Sequence, residues 1–180
     1  MKKGFTLVEM LVVIAILGIL MAMMVPAAGL IIKRTKMSRA RTDAGVVATV
    51  VLKYHAEYNR WPGFYKEELD NGEPHLTDKR WVDAMSPAPG EDADNPYNLK
   101  RVMFFSPGAG ALDTNRASAN FGAFVDPWGN PFRYHVDQEQ TERIPPPSGE
   151  GEDIRARAIA WSSGEDGDPE TWDDNAKSWE

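Results

Sequence analysis

The first 32 residues constrain the fold of this chain most, because residues 5–32 form an almost unbroken apolar run. Only Thr6, Glu9 and Pro26 interrupt its apolar, helix-compatible character. At a helical rise of about 1.5 Å per residue, this run reaches roughly 42 Å. A bilayer core needs only about 20 apolar residues, so the run is long enough to cross one. We therefore predict that residues 5–32 span a membrane.

Glu9 is the unusual residue in this run, because a carboxylate inside an apolar membrane segment costs about 2.5–3.5 kcal/mol on insertion scales. Lys2 and Lys3 precede the run and, by the positive-inside rule, favour a cytoplasmic N-terminus. Glu9 then lies near the cytoplasmic edge. Its side chain either reaches the interface or keeps its charge for a partner. A free amine at the start of a neighbouring chain would be a suitable partner.

The stretch from Lys2 to Glu9, Lys-Lys-Gly-Phe-Thr-Leu-Val-Glu, resembles the signal of type IV pilins and type II secretion pseudopilins. The resemblance implies that a prepilin peptidase cuts between Gly4 and Phe5 and methylates the new amine of Phe5. It also implies that Glu9 pairs with the N-terminal amine of an adjacent subunit during assembly. An ordinary signal peptide fits less well, because it is cleaved after an apolar region of about 7–15 residues.

Beyond Ile32 the apolar pattern becomes that of an amphipathic helix. One helix is predicted from about Thr6 to about Asn59, and Pro62 and Gly63 then provide a stop signal. Its outer half would lay an apolar stripe on a small sheet. The stripe consists of Val47, Val50, Val51, Tyr54 and Tyr58.

Three later segments predict short strands, which are residues 101–105, 132–136 and 155–161. The last two alternate in polarity, as half-buried strands do. Residues 62–100 are rich in Pro, Gly, Asp and Asn and predict a long connection with a short helical turn at 79–85. Residues 126–131, Asp-Pro-Trp-Gly-Asn-Pro, predict a tight turn. Together with the aromatic strand that follows, this turn resembles the major pseudopilin.

Residues 162–175 read Ser-Ser-Gly-Glu-Asp-Gly-Asp-Pro-Glu-Thr-Trp-Asp-Asp-Asn. Ca²⁺ takes six to eight oxygen ligands, so this composition predicts either a calcium loop or a solvated acidic tail. The resemblance favours the loop, because major pseudopilins bind Ca²⁺ through acids and main-chain oxygens at this place. The insertion of residues 168–169 departs from the family pattern. The resemblance implies the side-chain ligands Asp166, Asp173 and Asp174 and the carbonyl donors Ser163 and Asn175.

Together these observations predict an α+β chain with a pilin-like fold. A long N-terminal helix, membrane-spanning in its first half, packs on a small antiparallel β-sheet, and a C-terminal loop binds an ion. The predicted divisions are a leader at 1–4, the transmembrane and assembly half of the helix at 5–32, its amphipathic half at 33–59, and a periplasmic head at 60–180.

Several classes of function are disfavoured by composition. The net charge of −7 argues against nucleic acid as a partner. The absence of cysteine excludes disulfides, thiol nucleophiles and Cys-based metal sites. The chain has no nucleophile elbow, phosphate loop or zinc motif, so we expect no enzymatic activity. The alternative from a different class of function is an enzyme or a ligand-binding domain attached to a membrane anchor.

The resemblance implies a structural subunit of a type II secretion pseudopilus, anchored by a single pass in the inner membrane with its head in the periplasm. Its implied partners are copies of itself, the prepilin peptidase, other pseudopilins and inner-membrane secretion components. A minor pseudopilin and a type IV pilin remain open as alternatives. A type IV pilin would usually carry a C-terminal disulfide, which this chain cannot form.

Overall fold

The computed structural model describes residues 6–62, 73–87 and 95–180, apart from the side chains of residues 23–28. The chain divides into two compact units, Met1–Lys36 and Met37–Glu180. We call them the N-terminal unit and the C-terminal unit. The predicted leader, residues 1–4, lies outside the described residues.

The first element is helix α1, Leu7–Tyr58, which confirms the predicted helix to within one residue at each end. Asn59 follows it with a φ of 52°, a left-handed conformation that commonly ends helices. Its amide still donates to the carbonyl of His55 at 2.8 Å. Pro62, three residues on, cannot continue a helix, so the stop predicted from the sequence is where the helix ends.

The sheet of the C-terminal unit has three antiparallel strands in the order β1, β2, β3. They are β1 His75–Leu76, β2 Arg133–Val136 and β3 Ala158–Trp161. Tyr134 at the centre pairs with His75 on one side and Ala160 on the other. The second and third predicted strands are confirmed in shortened form. The outer edge of β3 is covered by the C-terminal segment, since Ser178 donates its amide to the carbonyl of Ala160.

Helix α2, Lys79–Met85, is the short helix predicted in the long connection. Asp78 caps it, because its carboxylate accepts a hydrogen bond from the amide of Trp81 at 3.0 Å. Trp81, whose amide makes this capping bond, has its side chain fully buried in the core.

The strand predicted at residues 101–105 is wrong. The segment has no regular secondary structure and pairs with none of the strands in the described parts of the chain. The amides of Phe104 and Phe105 both donate to the carbonyl of Met85, so the segment is fastened to the end of α2. Its aromatic, β-branched composition favours a strand, but a strand also needs a partner edge. That edge of the sheet is occupied by β1, which falls in a stretch where no strand was predicted.

The core lies between the outer part of α1 and the sheet. Val47, Val51 and Tyr54 of α1 are fully buried, and Tyr134 of β2 and Ala160 of β3 belong to the same apolar cluster. The predicted stripe on the helix is therefore the face that packs on the sheet. Helical spacing of three and four residues brings these side chains onto one side.

Strand β3 is buried on both faces, although the alternation of its sequence predicted a half-buried strand. Ala158 and Ala160 face the main core, whereas Ile159 and Trp161 belong to a second cluster with Ile144. Residues 137–157 form the connection from β2, and their Ile144–Ile154 bridge brings this connection over the outer face of the sheet.

Candidate assembly helix and C-terminal acidic loop

Helix α1 begins with a reciprocal cap formed by Thr6 and Glu9. The amide and the hydroxyl of Thr6 each donate to Oε2 of Glu9 at 2.8 Å, and the amide of Glu9 donates to the hydroxyl of Thr6 at 3.3 Å. This Thr-x-x-Glu pattern is a capping box, which satisfies amides that have no partner within the helix. Glu9 thus has an intramolecular role within the subunit besides any role in assembly.

The N-terminal part of α1 is apolar and uncovered. All described side chains from Thr6 to Ala22 and from Gly29 to Thr35 are exposed, including Leu7, Ile14 and Leu30 at 81%, 65% and 64%. A helix that is apolar all round is normally buried in lipid or among other helices. This surface is therefore of the kind that lipid or other helices cover, and the described residues leave it exposed.

Among the described residues, no helix combines the length and the continuous apolar character that a membrane span requires. The predicted span at 5–32 includes residue 5 and the side chains of residues 23–28, which lie outside the described residues. The processing residues Gly4 and Phe5 lie outside them as well. The membrane segment and the cleavage site therefore remain predictions.

The turn at residues 126–131 organises the start of the C-terminal loop. Asp126 is buried, and its Oδ1 accepts hydrogen bonds from the amides of Trp128 and Asn130, both at 2.9 Å. Its Oδ2 accepts one from the hydroxyl of Ser162 at 2.5 Å, and that hydroxyl accepts one from the amide of Gly164 at 3.0 Å. The sequence predicted the turn but not this link, because residues 126 and 162 are distant in the chain.

The acidic loop closes around Asp174. Its Oδ2 accepts hydrogen bonds from the amides of Glu165 at 2.8 Å and Asp166 at 3.3 Å. Gly164 has a φ of +70°, and a Cβ at this position would lie 2.6 Å from the Asp174 carboxyl group. Only glycine fits there, so Gly164 lets the chain wrap Asp174.

Asp166 is held by its own loop. Hydrogen bonds from the Thr171 hydroxyl at 2.6 Å and the Asp168 amide at 2.9 Å lower the pKa of Asp166. Asp173 is exposed. Across the described parts of the chain, no group of three or more His, Cys, Asp or Glu side chains is gathered as metal ligands. The structure thus brings Asp166 close to Asp174 without assembling the predicted three-carboxylate set.

The two predicted carbonyl donors lie at the base of the loop, and both are buried. The hydroxyl of Ser163 accepts a hydrogen bond from Nε of Arg133 at 3.4 Å. The side-chain amide of Asn175 donates to the carbonyl of Pro169 at 3.2 Å, but its buried Oδ1 has no hydrogen-bond partner among the described residues. A buried acceptor of this kind costs about 1–3 kcal/mol unless something else satisfies it. A cation bound by oxygens would do so.

Comparison with known proteins places the N-terminus in a recognised family. Residues 1–25 match the family model described as the prokaryotic N-terminal methylation motif. Over 61 residues, 34% of the chain, it is 43% identical to the fimbrial protein EcpC of Eikenella corrodens. In its first residues and over about a third of its length, the chain is thus similar to type IV pilin-like proteins. Over 62 residues, also 34% of the chain, it is 39% identical to the type IV major pilin protein PilE1 of Neisseria gonorrhoeae.

The likeness is confined to part of each protein. The matched stretches cover 40% of the Eikenella relative and 38% of the Neisseria relative. Over 66 residues, 37% of the chain and 30% of the relative, the chain is 35% identical to the type IV major pilin protein PilA of Myxococcus xanthus. No solved structure matches the chain. These matches therefore concern about a third of the chain, and the family model concerns its first 25 residues.

Proposed function

We propose that this pilin-like protein is a structural subunit of a filament, of the pseudopilus type that serves type II secretion. The observation that carries the proposal is the exposed apolar surface of α1, interrupted in its first turn by Glu9. Lipid would cover this surface in the single subunit, and the helices of other copies would cover it in the filament. The proposed role is structural and needs no catalytic group.

The proposed life of the subunit has two stages. Residues 5–32 first hold it by a single pass in the inner membrane, with the C-terminal unit in the periplasm. A prepilin peptidase removes residues 1–4 and methylates Phe5. The processed subunit then joins other copies, together with further pseudopilins and inner-membrane secretion components, in a filament that drives protein export.

Glu9 supports the proposal because its carboxylate can serve two partners. Both hydrogen bonds from Thr6 use the same oxygen, Oε2. A methylated amine at Phe5 of the neighbouring copy would bring a positive charge to this carboxylate. A charge-assisted hydrogen bond in an apolar environment is stronger than one between neutral groups. The pairing would also fix the axial stagger of adjacent helices.

The test separates the charge of Glu9 from its capping bonds. Glu9→Gln keeps an oxygen for Thr6 but removes the charge, and we expect this variant to be processed and membrane-bound but unable to form filaments. Thr6→Ala is the matched control, because it removes the cap and keeps the carboxylate, and it should still assemble. Electron microscopy of filaments formed when the full-length chain is overexpressed, with mass spectrometry of the N-terminus, gives both readouts. Normal filaments from Glu9→Gln would overturn the pairing.

We propose in addition that the acidic loop binds one Ca²⁺ ion. Its donors are all oxygens, as Ca²⁺ prefers, and the buried, unpartnered Oδ1 of Asn175 supports the presence of a cation. The carboxylates of Asp166, Asp173 and Asp174 and oxygens of Ser163 and Asn175 would hold it. The ion would neutralise these carboxylates and stiffen the loop against the turn at 126–131.

A second candidate is a type IV pilus subunit, which the names of the pilin and fimbrial relatives favour. Immunogold labelling of intact cells separates the two, because a pilus extends from the cell surface whereas a pseudopilus stays in the periplasm. Surface fibres at native expression would favour the pilus. A minor pseudopilin would instead appear as a substoichiometric component of a filament made of another subunit.

A further inference from the structure

A pocket of about 460 Å³ lies at the end of the sheet where β2 leaves and β3 begins. Three arginines share it, Arg143 from the connection and Arg155 and Arg157 from the segment before β3. Glu142 is the acidic residue of its lining, and Thr141 and Ala156 complete that lining. The chain as a whole carries a net charge of −7, so three guanidinium groups around one pocket make this part of the surface more positive than the rest.

Defined contacts shape the segments that carry the arginines. The backbone turns at Arg155, because the amide of Ala156 donates to the carbonyl of Ile154 at 2.9 Å. The guanidinium of Arg157 lies over the ring of Trp61, 5.9 Å from its centre. The carboxylate of Asp137 accepts hydrogen bonds from the amides of Thr141 at 3.1 Å and Glu142 at 2.6 Å, which fixes the turn just before Arg143.

None of the three arginines forms an ion pair with a carboxylate in residues 6–62, 73–87 or 95–180. Three acidic residues of the same connection, Glu150, Glu152 and Asp153, line a different pocket with Trp172 and Trp179. Guanidinium groups bind carboxylates through paired hydrogen bonds, and a cluster of them disfavours a neutral or cationic ligand. The pocket is therefore suited to carboxylates.

The acidic loop carries such carboxylates at the opposite end of the sheet. Glu165, Asp168 and Glu170 are exposed and are not among the proposed calcium ligands. Strand β3 separates Arg157 from Ser162 by roughly 16 Å at about 3.3 Å per residue. The loop is fastened at its own end, because Asn130 donates to the carbonyl of Gly164 at 3.3 Å. These carboxylates are thus presented away from the arginines of their own chain.

We propose that the arginine pocket of one copy binds the acidic loop of a second copy, through the carboxylates of Glu165, Asp168 and Glu170. Opposite charges at opposite ends of one sheet give a heterologous contact, since each copy offers a different surface to each of its two neighbours. Repetition of such a contact produces an open polymer rather than a closed dimer. The inference rests on the proposed function and adds to it a contact between C-terminal units.

The absence of cysteine from the chain makes the contact testable by cross-linking in intact filaments. We expect Arg155→Cys combined with Glu170→Cys to give a ladder of disulfide-linked multimers of the full-length chain under mild oxidation. The matched control is Arg116→Cys with Glu170→Cys, which pairs the loop with another exposed arginine and should give no ladder. Each cysteine alone should also give none, and dimers from Arg155→Cys alone would indicate a symmetric contact and overturn the proposal.

Charge reversal separates a specific pairing from a structural effect. Arg155→Glu and Glu170→Arg should each reduce filament yield, and the double variant should restore most of it. Thermal-shift titration of the full-length chain with inorganic phosphate tests a free anion as the occupant. Phosphate binding that depends on Arg155, with no ladder, would overturn the proposal. Wild-type filaments without a ladder or a charge-reversal effect would overturn this inference alone, whereas absence of wild-type filaments would overturn it together with the proposed function.

Discussion

Asn98 is a buried side chain that joins three parts of the C-terminal unit. Its amide donates to the carbonyls of Ala84 at 2.7 Å and Val102 at 2.8 Å. Its carbonyl accepts from the hydroxyl of Tyr58 at 2.7 Å and the amide of Val102 at 3.0 Å. All four of its hydrogen-bonding positions are used, so Asn98 fastens α1, α2 and the segment around Val102 together.

Replacement of Asn98 by Ala should lower the free energy of unfolding by about 3 kcal/mol, because it leaves buried donors and acceptors without partners. The measurement is chemical unfolding of the full-length chain in detergent, followed by fluorescence. All six tryptophans lie between residues 61 and 179, so the signal reports the C-terminal unit. Asn115→Ala is the control, since Asn115 is exposed, and its effect should stay below about 1 kcal/mol. Equal effects of the two variants would contradict the role of Asn98.

His75 makes stability depend on pH. Burial, with a smaller contribution from nearby His135, lowers the pKa of His75 to about 4. The unfolded chain binds a proton near pH 6.5, whereas the folded chain does so only near pH 4. The unfolded state therefore holds more protons between these values, and the contribution of His75 to stability, complete above pH 6.5, is lost as the pH falls toward 4.

We expect the free energy of unfolding to fall with a slope of up to about 1.4 kcal/mol per pH unit from this residue. His75→Phe, which keeps a ring against Tyr134, should flatten the slope between pH 6.5 and 4. His55→Gln is the control, because His55 lies on the partly exposed end of α1 and its substitution should leave most of the slope intact. An unchanged slope in His75→Phe would show that His75 is not the group responsible.

At the scale of the element, α1 is one helix with two different surroundings. Its residues up to Thr35 are exposed wherever their side chains are described, whereas Ala40, Ala44, Val47 and Val51 are fully or almost fully buried. Helical propensity does not distinguish these parts, since both are rich in apolar residues. The second part is buried because it packs on the sheet within the C-terminal unit.

Val51→Ala should destabilise the C-terminal unit by about 2 kcal/mol, because it removes buried methyl groups and leaves a small cavity in the core. Lys53→Ala, two residues away and exposed, is the matched control and should change stability by less than about 0.5 kcal/mol. Denaturant midpoints from tryptophan fluorescence compare the two. A midpoint for Val51→Ala that equals the control would contradict the packing of α1 on the sheet.

At the scale of the whole molecule, the acidic loop is coupled to the sheet. Ser162 follows β3 directly and bonds Asp126, and the segment after the loop pairs with the outer edge of β3. An ion that stiffens the loop would therefore stabilise the sheet. Because binding to the folded state alone stabilises by mass action, the melting temperature should depend on the free ion concentration.

We expect excess Ca²⁺ to raise the melting temperature of the full-length chain in detergent by several degrees over a chelated sample, at fixed pH and ionic strength. Asp174→Asn should abolish the response, although it keeps an oxygen for the amides of residues 165 and 166. Glu170→Gln serves as the control and should retain the response. Identical melting temperatures with and without Ca²⁺ in the wild-type chain would remove the ion from the proposal.

The candidate site was predictable where its chemistry is local. Thr6 and Glu9 lie only three residues apart, so their spacing is visible in the sequence. Gly164 likewise lies close in sequence to the acidic residues that pack against it. The links from Asp126 to Ser162 and among the three arginines of the pocket were not predictable. They join residues whose distance is set by strand pairing, and a single sequence carries no signal for that distance.

The sequence by itself determined the long helix, its apolar first half, its end near Asn59 and two of the three strands. Each depends on a local pattern, either the spacing of apolar residues or a residue with restricted backbone angles. Only the tertiary structure decided that β1 rather than residues 101–105 completes the sheet, that both faces of β3 are buried, and that opposite charges occupy opposite ends of that sheet. Strand choice and burial depend on which surfaces meet after folding, and their free energy comes from contacts between residues far apart in the chain.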